Sequence, residues 1–354
     1  METFGELLKK YIGREGISQE SLGQKIGPSK PTISNWCNDK VKKIDCGKIK
    51  KCAQVLNLNP DERRELMIAA NCVPDENDVP LVPIINVPIN RPRQFFGRQT
   101  VVKRIFKKWN GHLQHVAVIG QRRSGKTSLL HYIKNIHRAT QLRDGQHQDG
   151  LLTNTQFVFV DFQAAGMTEP INFFSYILQE LHFTIPRRCD LRQFTEVMRN
   201  QLHQPTVLLM DRIDVGLEAS GLDYRFWWGI RSLVLNGTNG NLGLLLASPE
   251  LPTEVRPRGG ESQPSPFLNI IAEIVELGPL AAVEARELLR HAPQPFDEAD
   301  TEWILTESGC WPALLQVLLD ARLRAIDENE IGDAWKKEGL ERIQNDGYLS
   351  NLLT

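Results

Sequence analysis

The chain has 354 residues, of which 41% are hydrophobic and 24% are charged. This composition is typical of globular proteins, and the length suits two or three domains. The formal net charge is −1, but residues 1–60 carry 11 basic and 6 acidic side chains, so that this segment has a charge of +5 and the rest −6. A basic head on an acidic body indicates that the head binds a polyanion.

The sequence shows neither a signal peptide nor an apolar run long enough to span a bilayer, which predicts a cytoplasmic protein without a membrane partner.

The six cysteines form neither a Cys-x-x-Cys pair nor a pattern with a matching pair of histidines. We therefore predict free thiols in a reducing compartment rather than zinc ligands. The cysteines are Cys37, Cys46, Cys52, Cys72, Cys189 and Cys310.

The pattern of residues changes along the chain and predicts a multidomain protein. Residues 1–72 read as an all-α head of short helices, and residues 73–93 contain five prolines and predict an extended linker. Residues 94–280 alternate strand-like and helical segments, which is typical of a parallel α/β core, and residues 281–354 are helical. The predicted strands are His115–Gly120, Phe157–Phe162, Val207–Asp211, Leu242–Ala247 and Ile274–Leu277, and a Pro- and Gly-rich loop over Ser248–Pro266 is predicted to be mobile.

Two short helices joined by a tight turn are predicted within the head. Ser18 suits the N-cap of the first helix and Ser29 that of the second. Leu22, Ile26, Ile33 and Trp36 have the spacing of buried positions, while Gly23 allows close helix packing and Gly27 suits a left-handed C-terminal position.

This segment resembles the lambda-repressor-like (Cro/cI, XRE-type) helix-turn-helix family of DNA-binding domains over about the first 60 to 70 residues. The resemblance implies that the second of these helices enters the major groove of duplex DNA. It implies base contacts from Gln19, Lys30, Thr32 and Asn35, and phosphate contacts from Lys40, Lys42 and Lys43. Pro31 departs from the polar residue usual at its position and removes one base contact. The alternative is a helical domain that binds protein.

The segment around residue 120 carries the strongest chemical signal in the chain. An apolar strand leads into Gly120-Gln-Arg-Arg-Ser-Gly125-Lys126-Thr127, and an apolar-patterned helix follows. This is the phosphate-binding P-loop, in which glycines let backbone N–H groups approach the phosphates. Lys126 would reach the β- and γ-phosphates, and the Thr127 hydroxyl would bind Mg²⁺. The cofactor-binding prediction covers Gly120, Gln121, Arg122, Arg123, Ser124, Gly125, Lys126, Thr127 and Ser128.

A second buried strand ends in Asp211, about 80 residues after the P-loop, as a Walker B strand does. We expect Asp211 and Thr127 to hold the Mg²⁺ ion that accompanies the nucleotide. Arg212 stands where many P-loop ATPases have the glutamate that polarises the attacking water. Asp214 is the nearest acid, and either a catalytic role or a loop-capping role fits it. Hydrolysis is therefore expected to be slow or to need a partner.

Together with the P-loop, the segments Phe96-Gly97-Arg98, Gly278-Pro279 and Gly309-Cys-Trp-Pro312 resemble the STAND/AAA+ class of signalling ATPases over residues 95–325. The resemblance implies a P-loop NTPase core with a central P-loop strand and a small C-terminal helical lid. It implies ATP rather than GTP, with Phe96, Gly97, Arg98 and Pro312 near the base, and Ser248 as a polar sensor that joins Lys126, Asp211 and Asp214 in the catalytic set. An arginine acting on the γ-phosphate would come from Arg256 or Arg258, or from a neighbouring subunit.

These features predict a slowly hydrolysing, DNA-binding ATPase switch that regulates transcription or defence signalling in a bacterial cytoplasm, near the nucleoid. The implied partners are duplex DNA, further copies of the chain in a nucleotide-dependent oligomer, and a protein or other signal that the sequence does not identify. Two alternatives stay open: an ATP-dependent factor that coats DNA, like transposition-targeting ATPases, and a signalling scaffold whose head binds protein.

Overall fold

The computed structural model describes residues 3–41, 44–56, 58, 60–72, 82–136, 154–251 and 266–353. The described residues up to Val82 form one compact unit, and most of those from Pro83 onward form a second.

The first unit is a bundle of short helices. They are α1 (Phe4–Glu15), α2 (Gln19–Ile26), α3 (Lys30–Cys37), α4 (Cys46–Val55) and α5 (Pro60–Ala69). Its buried core includes Leu22, Ile26, Ile33 and Trp36, as the spacing of apolar residues predicted. Each of these helices is too short to be stable alone, so its stability comes from this packing.

The turn between α2 and α3 follows the predicted chemistry closely. Ser18 caps α2 by accepting a hydrogen bond from the N–H of Ser21 at 3.1 Å, and Gly27 ends the helix at φ 101°. A Cβ on Gly23 would lie 2.4 Å from the carbonyl oxygen of Pro28, so only glycine lets the turn pack there. Ser29 occupies the N-cap position of α3, but its side chain caps nothing, because its hydroxyl pairs with that of Thr32 at 2.9 Å.

The prediction of free thiols was wrong for two of the six cysteines. Cys46, the first residue of α4, and Cys72, just beyond α5, are joined by a disulfide bond. The two residues are 26 positions apart and form no sequence motif, but packing of α4 against α5 brings their Cα atoms to 5.6 Å, within disulfide reach. The other four cysteines carry free thiols.

The second unit is built on a parallel sheet, as predicted. The strands among its described residues are β1 (His115–Ile119), β2 (Gln156–Asp161), β3 (Thr206–Asp211), β4 (Leu242–Ser248) and β5 (Ile271–Glu276), in the spatial order β2-β3-β4-β1-β5. The P-loop strand β1 is therefore interior, paired with β4 on one side and β5 on the other. Strands β3 and β4 are buried along their whole length, which explains why they read as continuous apolar runs.

Helices flank the sheet and follow it in the chain. After a 3₁₀ turn at Pro92–Gln94, the core helices are α6 (Gln99–Trp109), α7 (Lys126–Ile136), α8 (Pro170–Glu180), α9 (Leu191–Gln201), α10 (Ile213–Glu218) and α11 (Tyr224–Ser232). The C-terminal helices are α12 (Ala282–Arg290), α13 (Glu298–Ser308), α14 (Pro312–Asp327), α15 (Ala334–Gln344) and α16 (Gly347–Ser350). Most of the loop predicted over Ser248–Pro266, with Arg256 and Arg258, lies outside the described residues. No helix in the described part of the chain is long and apolar enough to cross a membrane.

Candidate functional site

A cavity of about 460 Å³ lies at the carboxyl ends of β1 and β3 in the second unit. In parallel α/β sheets, ligands bind at this edge. Many of the residues predicted to bind the cofactor line this cavity together: Phe96, Arg98, Arg122, Arg123, Ser124, Gly125, Lys126, Thr127, Ser128 and Pro312. Asp211 lines it as well and is the one carboxylate among the described lining residues. Gly97, Gly120, Gln121, Asp214 and Ser248 are not among them.

The loop between β1 and α7 has the backbone that its glycines predict. Gly120 has φ 150°, and a Cβ there would lie 2.5 Å from the carbonyl oxygen of Leu277, so the residue must be glycine. Lys126 begins α7, and its buried ammonium group donates to the carbonyl oxygens of Gly120 at 2.7 Å and Gln121 at 2.8 Å. Burial lowers the pKa of this ammonium group to about 8. A phosphate group would supply a direct anionic partner for this buried cation.

The side chains of Thr127 and Asp211 both line the cavity and are hydrogen-bonded to each other. The Thr127 hydroxyl donates to the Asp211 carboxylate at 2.7 Å, across 84 positions of sequence. Burial raises the pKa of the Asp211 carboxyl group, so a cation beside it would stabilise its charged form. A hydroxyl and a carboxylate are hard oxygen ligands of the kind that Mg²⁺ prefers, and these two side chains fit the predicted role.

Arg212 and Asp214 neutralise each other next to this pair. The Arg212 side chain donates to the Asp214 carboxylate from Nη2 at 2.9 Å and from Nε at 3.2 Å. Arg212 also lines the cavity and has a left-handed backbone with φ 54°, while Asp214 lies in the first turn of α10. In this arrangement Asp214 is an ion-pair partner rather than a free base.

Ser248 is buried at the end of β4, where it pairs in register with Ile119 of the P-loop strand. Its hydroxyl donates to the carbonyl oxygen of Glu250. The next residue, Pro249, lines the cavity and accepts a hydrogen bond from the N–H of Gly120 at 3.1 Å. The predicted sensor strand thus adjoins the P-loop, with Pro249 rather than Ser248 at the cavity wall.

Arg98 connects the P-loop to the start of the C-terminal helices. Its buried guanidinium group donates to the carbonyl oxygens of Ser124 at 3.2 Å and Pro279 at 3.0 Å, and to that of Gly278. Burial lowers the pKa of this side chain, but its carbonyl partners satisfy several of its donors. The position near the base that the resemblance implied stays a prediction; Arg98 lines the cavity, and its hydrogen bonds connect Ser124 with the Gly278-Pro279 segment. Gly97, at φ 68°, packs against the side chain of Glu284.

Two parts of the cavity wall were missed by sequence reasoning. One is the segment 84–89, which lies in the predicted linker: the N–H of Ile84 donates to Gln316 Oε1, and the N–H of Ile89 donates to Ser128 Oγ, both at 3.0 Å. Apolar residues between its prolines were the available signal. The other part is Gln163 after β2, and Tyr348 and Leu349 in α16, which belong to no motif.

The residues predicted to contact DNA lie mainly on α3 and after it. Lys30, Asn35 and Lys40 are exposed, and Thr32 and Gln19 are half-buried. The Lys30 ammonium group pairs with the carboxylate of Glu20 on α2 at 3.2 Å. Lys42 and Lys43 lie outside the described residues.

Comparison with known proteins bears on both units. Residues 8–63 match the family model described as helix-turn-helix. The N-terminal unit is a helix-turn-helix domain of the XRE type. No curated protein sequence matches the chain.

The second unit is similar in structure to the Walker-type ATPase of Pyrococcus abyssi, with a TM-score of 0.51 and 16% sequence identity over 72% of this chain and 74% of that one. This likeness shows that a P-loop ATPase fold follows the helix-turn-helix domain in the sequence. Two further similar structures have TM-scores below 0.5 and add nothing to the assignment. They are the Aeropyrum pernix ORC2 protein with ADPNP and ADP (0.49, 13% identity, 69% and 67% coverage) and the Thermotoga maritima RuvB motor (0.41, 18% identity, 73% of each chain).

Proposed function

We propose that the second unit binds ATP with Mg²⁺, that the helix-turn-helix domain binds duplex DNA, and that the protein is a slowly hydrolysing switch of the STAND/AAA+ kind. The observation that carries the proposal is the convergence of Lys126, Thr127 and Asp211 on one cavity beside the P-loop glycines. This set supplies a fixed cation, a convergent loop backbone and two oxygen ligands, which are the groups that hold a nucleoside triphosphate.

Mg²⁺, when bound, neutralises charge on the phosphates and bridges them to the protein. In this chain Thr127 and Asp211 would hold it. Lys126 would exchange its two carbonyl partners for phosphate oxygens, and the glycines would keep side chains away from the phosphates. The apolar residues Ile84, Ile85 and Leu288 in the same cavity suit the faces of a base.

Slow hydrolysis is supported by the Arg212–Asp214 ion pair. The described residues that line the cavity offer no carboxylate besides Asp211, and Asp211 is assigned to the metal. A general base that activates water is therefore missing from this wall of the site, and such bases contribute about 10²- to 10⁴-fold to rates. A partner protein or a neighbouring copy could complete the site.

DNA binding by the head is supported by its fold and its charge. The exposed Lys30, Asn35 and Lys40 lie on or just after the helix that enters the major groove in this motif, and residues 1–60 carry a charge of +5. We further propose that nucleotide state changes self-association or the presentation of the heads. A nucleotide can do this only by binding two states of the protein with different affinity.

Nucleotide binding is tested by titrating the full chain with ATP and Mg²⁺, comparing the wild type with Lys126→Ala. We expect the variant to lose measurable ATP binding. Lys134→Ala is the matched control, because it removes a lysine from the same helix, α7, where the ammonium group lies 3.9 Å from Glu180. Wild-type affinity in Lys126→Ala would refute the assignment of the cavity.

The role of the head is tested by measuring binding of the full chain to duplex DNA at increasing salt. Phosphate contacts release counterions, so we expect affinity to fall steeply with salt. Absence of binding to any duplex would contradict a DNA-binding head and favour a protein-binding one. ATP-dependent filaments on DNA of any sequence would contradict the switch and favour a coating factor.

A further inference from the structure

Tyr348, near the C-terminal end of the described residues, contacts the P-loop directly. Arg122 Nη1 donates to the Tyr348 hydroxyl at 2.7 Å, and the guanidinium carbon lies 4.9 Å from the centre of the ring. Tyr348 is 49% exposed, so burial of the ring does not by itself explain its place. The hydrogen bond and the cation–π contact together fix the guanidinium group relative to the ring.

The helix that carries Tyr348 is anchored in the C-terminal helices. Helix α16 packs against α15, which in turn packs against α14. The Asp346 carboxylate caps α16 by accepting from the N–H of Tyr348 at 2.8 Å. The next residue, Leu349, is buried and lines the cavity beside Tyr348. The Arg122–Tyr348 contact therefore joins the P-loop to the C-terminal helices at the cavity wall.

We propose that Tyr348 is a positioning residue for the nucleotide: it orients Arg122 so that the remaining N–H donors of the guanidinium group bind a phosphate, which links the lid helices to phosphate occupancy. The inference rests on the proposed nucleotide site and adds to it a residue that lies about 220 positions beyond the P-loop.

The chemistry of the pair supports this role over that of an ordinary surface contact. A guanidinium group has five N–H donors, and Tyr348 accepts from one of them, which leaves donors for phosphate oxygens. A neutral phenol orients the arginine without cancelling its charge. Arg212, in the same cavity, is by contrast neutralised by the carboxylate of Asp214. Of these two arginines, Arg122 is the one whose partner here is a neutral hydroxyl rather than a carboxylate, so its positive charge is available to a phosphate.

The test is a double-mutant cycle with full-length protein, measuring ATP affinity in the presence of Mg²⁺. We expect Arg122→Ala to weaken ATP binding about tenfold, the size of one charge-assisted hydrogen bond. Tyr348→Ala should weaken it about threefold, and Tyr348→Phe less, because the contact between the guanidinium group and the ring remains. The double variant should bind ATP as Arg122→Ala does, because Tyr348 acts through Arg122.

Tyr224→Ala is the matched control. Tyr224 also accepts a hydrogen bond from an arginine, Arg225, at 3.1 Å and lies under its guanidinium group at 5.7 Å, but neither residue lines the cavity. The Tyr224→Ala variant should therefore bind ATP with wild-type affinity. The proposal is overturned if Tyr348→Ala has no effect on ATP affinity, or if the loss of affinity in Tyr348→Ala simply adds to that in Arg122→Ala. It is also overturned if Tyr348→Ala lowers the melting temperature of the nucleotide-free protein and Tyr348→Phe fails to restore ATP affinity. Failure of the nucleotide site itself would show separately, as absence of ATP binding by the wild type.

Discussion

At the scale of single residues, Arg212 bears on whether the proposed nucleotide site can hydrolyse what it binds. Arg212 follows Asp211, which we propose holds Mg²⁺, and it lines the cavity and holds Asp214 in an ion pair. The sequence alone left Asp214 open as a catalytic base. The structure gives its carboxylate a charged partner, the Arg212 guanidinium group, so that Asp214 is engaged in an ion pair.

Arg212→Glu should therefore raise ATP turnover by about tenfold or more, because it places an acid where a general base is missing. The measurement is steady-state phosphate release at saturating ATP. Arg212→Ala is the matched control: it frees Asp214 and keeps a Cβ at the same left-handed backbone, but adds no acid at the position. Unchanged turnover in Arg212→Glu would contradict a missing acid as the limit and point to a group supplied by a partner.

Residue patterns predicted some parts of the site and missed others for physical reasons. The P-loop was predicted because phosphate binding requires particular residues at fixed spacing on one strand–loop–helix unit. Asp211 was predicted because it ends a second continuous apolar strand. The structure brings the predicted Lys126, Thr127 and Asp211 together. Tyr348 and the segment 84–89 were not found, because tertiary packing brings them to the cavity from distant parts of the chain. Arg98 was found as a motif, but its carbonyl partners could not be predicted from sequence.

At the scale of elements, an ion pair between α2 and α3 engages a lysine that we propose binds DNA. Lys30, the first residue of α3, is paired with Glu20 of α2, and both side chains are mostly exposed. The arrangement follows from the turn that Gly23 and Gly27 permit, which sequence reasoning predicted. The pairing itself could not be predicted, because long exposed side chains choose partners only in the folded structure.

Lys30→Ala should weaken binding to the preferred duplex by about 1–3 kcal/mol if this side chain reads a base. Glu20→Gln should strengthen DNA binding about two- to fivefold, because Lys30 no longer has to leave its ion pair with Glu20 to contact DNA. This gain corresponds to the free energy of an exposed ion pair. Both affinities are measured at one salt concentration with full-length protein.

Glu62→Gln is the control for net charge. Glu62 pairs with Arg14, so the variant removes the same charge from the head but leaves Lys30 paired with Glu20. An equal gain from Glu62→Gln and Glu20→Gln would show that only overall charge matters. That result would contradict a specific role for the Lys30–Glu20 pair.

At the same scale, the strands were predicted within a few residues because buried parallel strands read as apolar runs. Strand β5 starts three residues earlier than predicted, at Ile271, because it is an edge strand with alternating exposure rather than an apolar run. The disulfide between Cys46 and Cys72 escaped prediction for a different reason: helix packing, not spacing, sets it.

At the scale of the whole molecule, a helix-turn-helix domain and a P-loop ATPase fold share one chain. Their combination makes biochemical sense if the nucleotide state of one changes the DNA affinity of the other. Arg98 joins Ser124 of the P-loop to Pro279, just before α12, and Arg122 of the P-loop donates to Tyr348 in α16. We propose that a phosphate bound in the cavity acts on the C-terminal helices through these contacts. Such coupling between two sites is a free energy, and it acts equally in both directions.

The most direct test of this account measures the affinity of the full chain for duplex DNA without nucleotide, with ADP and with ATP, each in the presence of Mg²⁺. The wild type and Lys126→Ala are compared at the same salt concentration. We expect ATP to change the DNA affinity of the wild type by about tenfold, a typical coupling of 1–3 kcal/mol, and to leave that of Lys126→Ala unchanged. A wild-type protein that binds ATP but holds DNA equally well in all three states would contradict the switch.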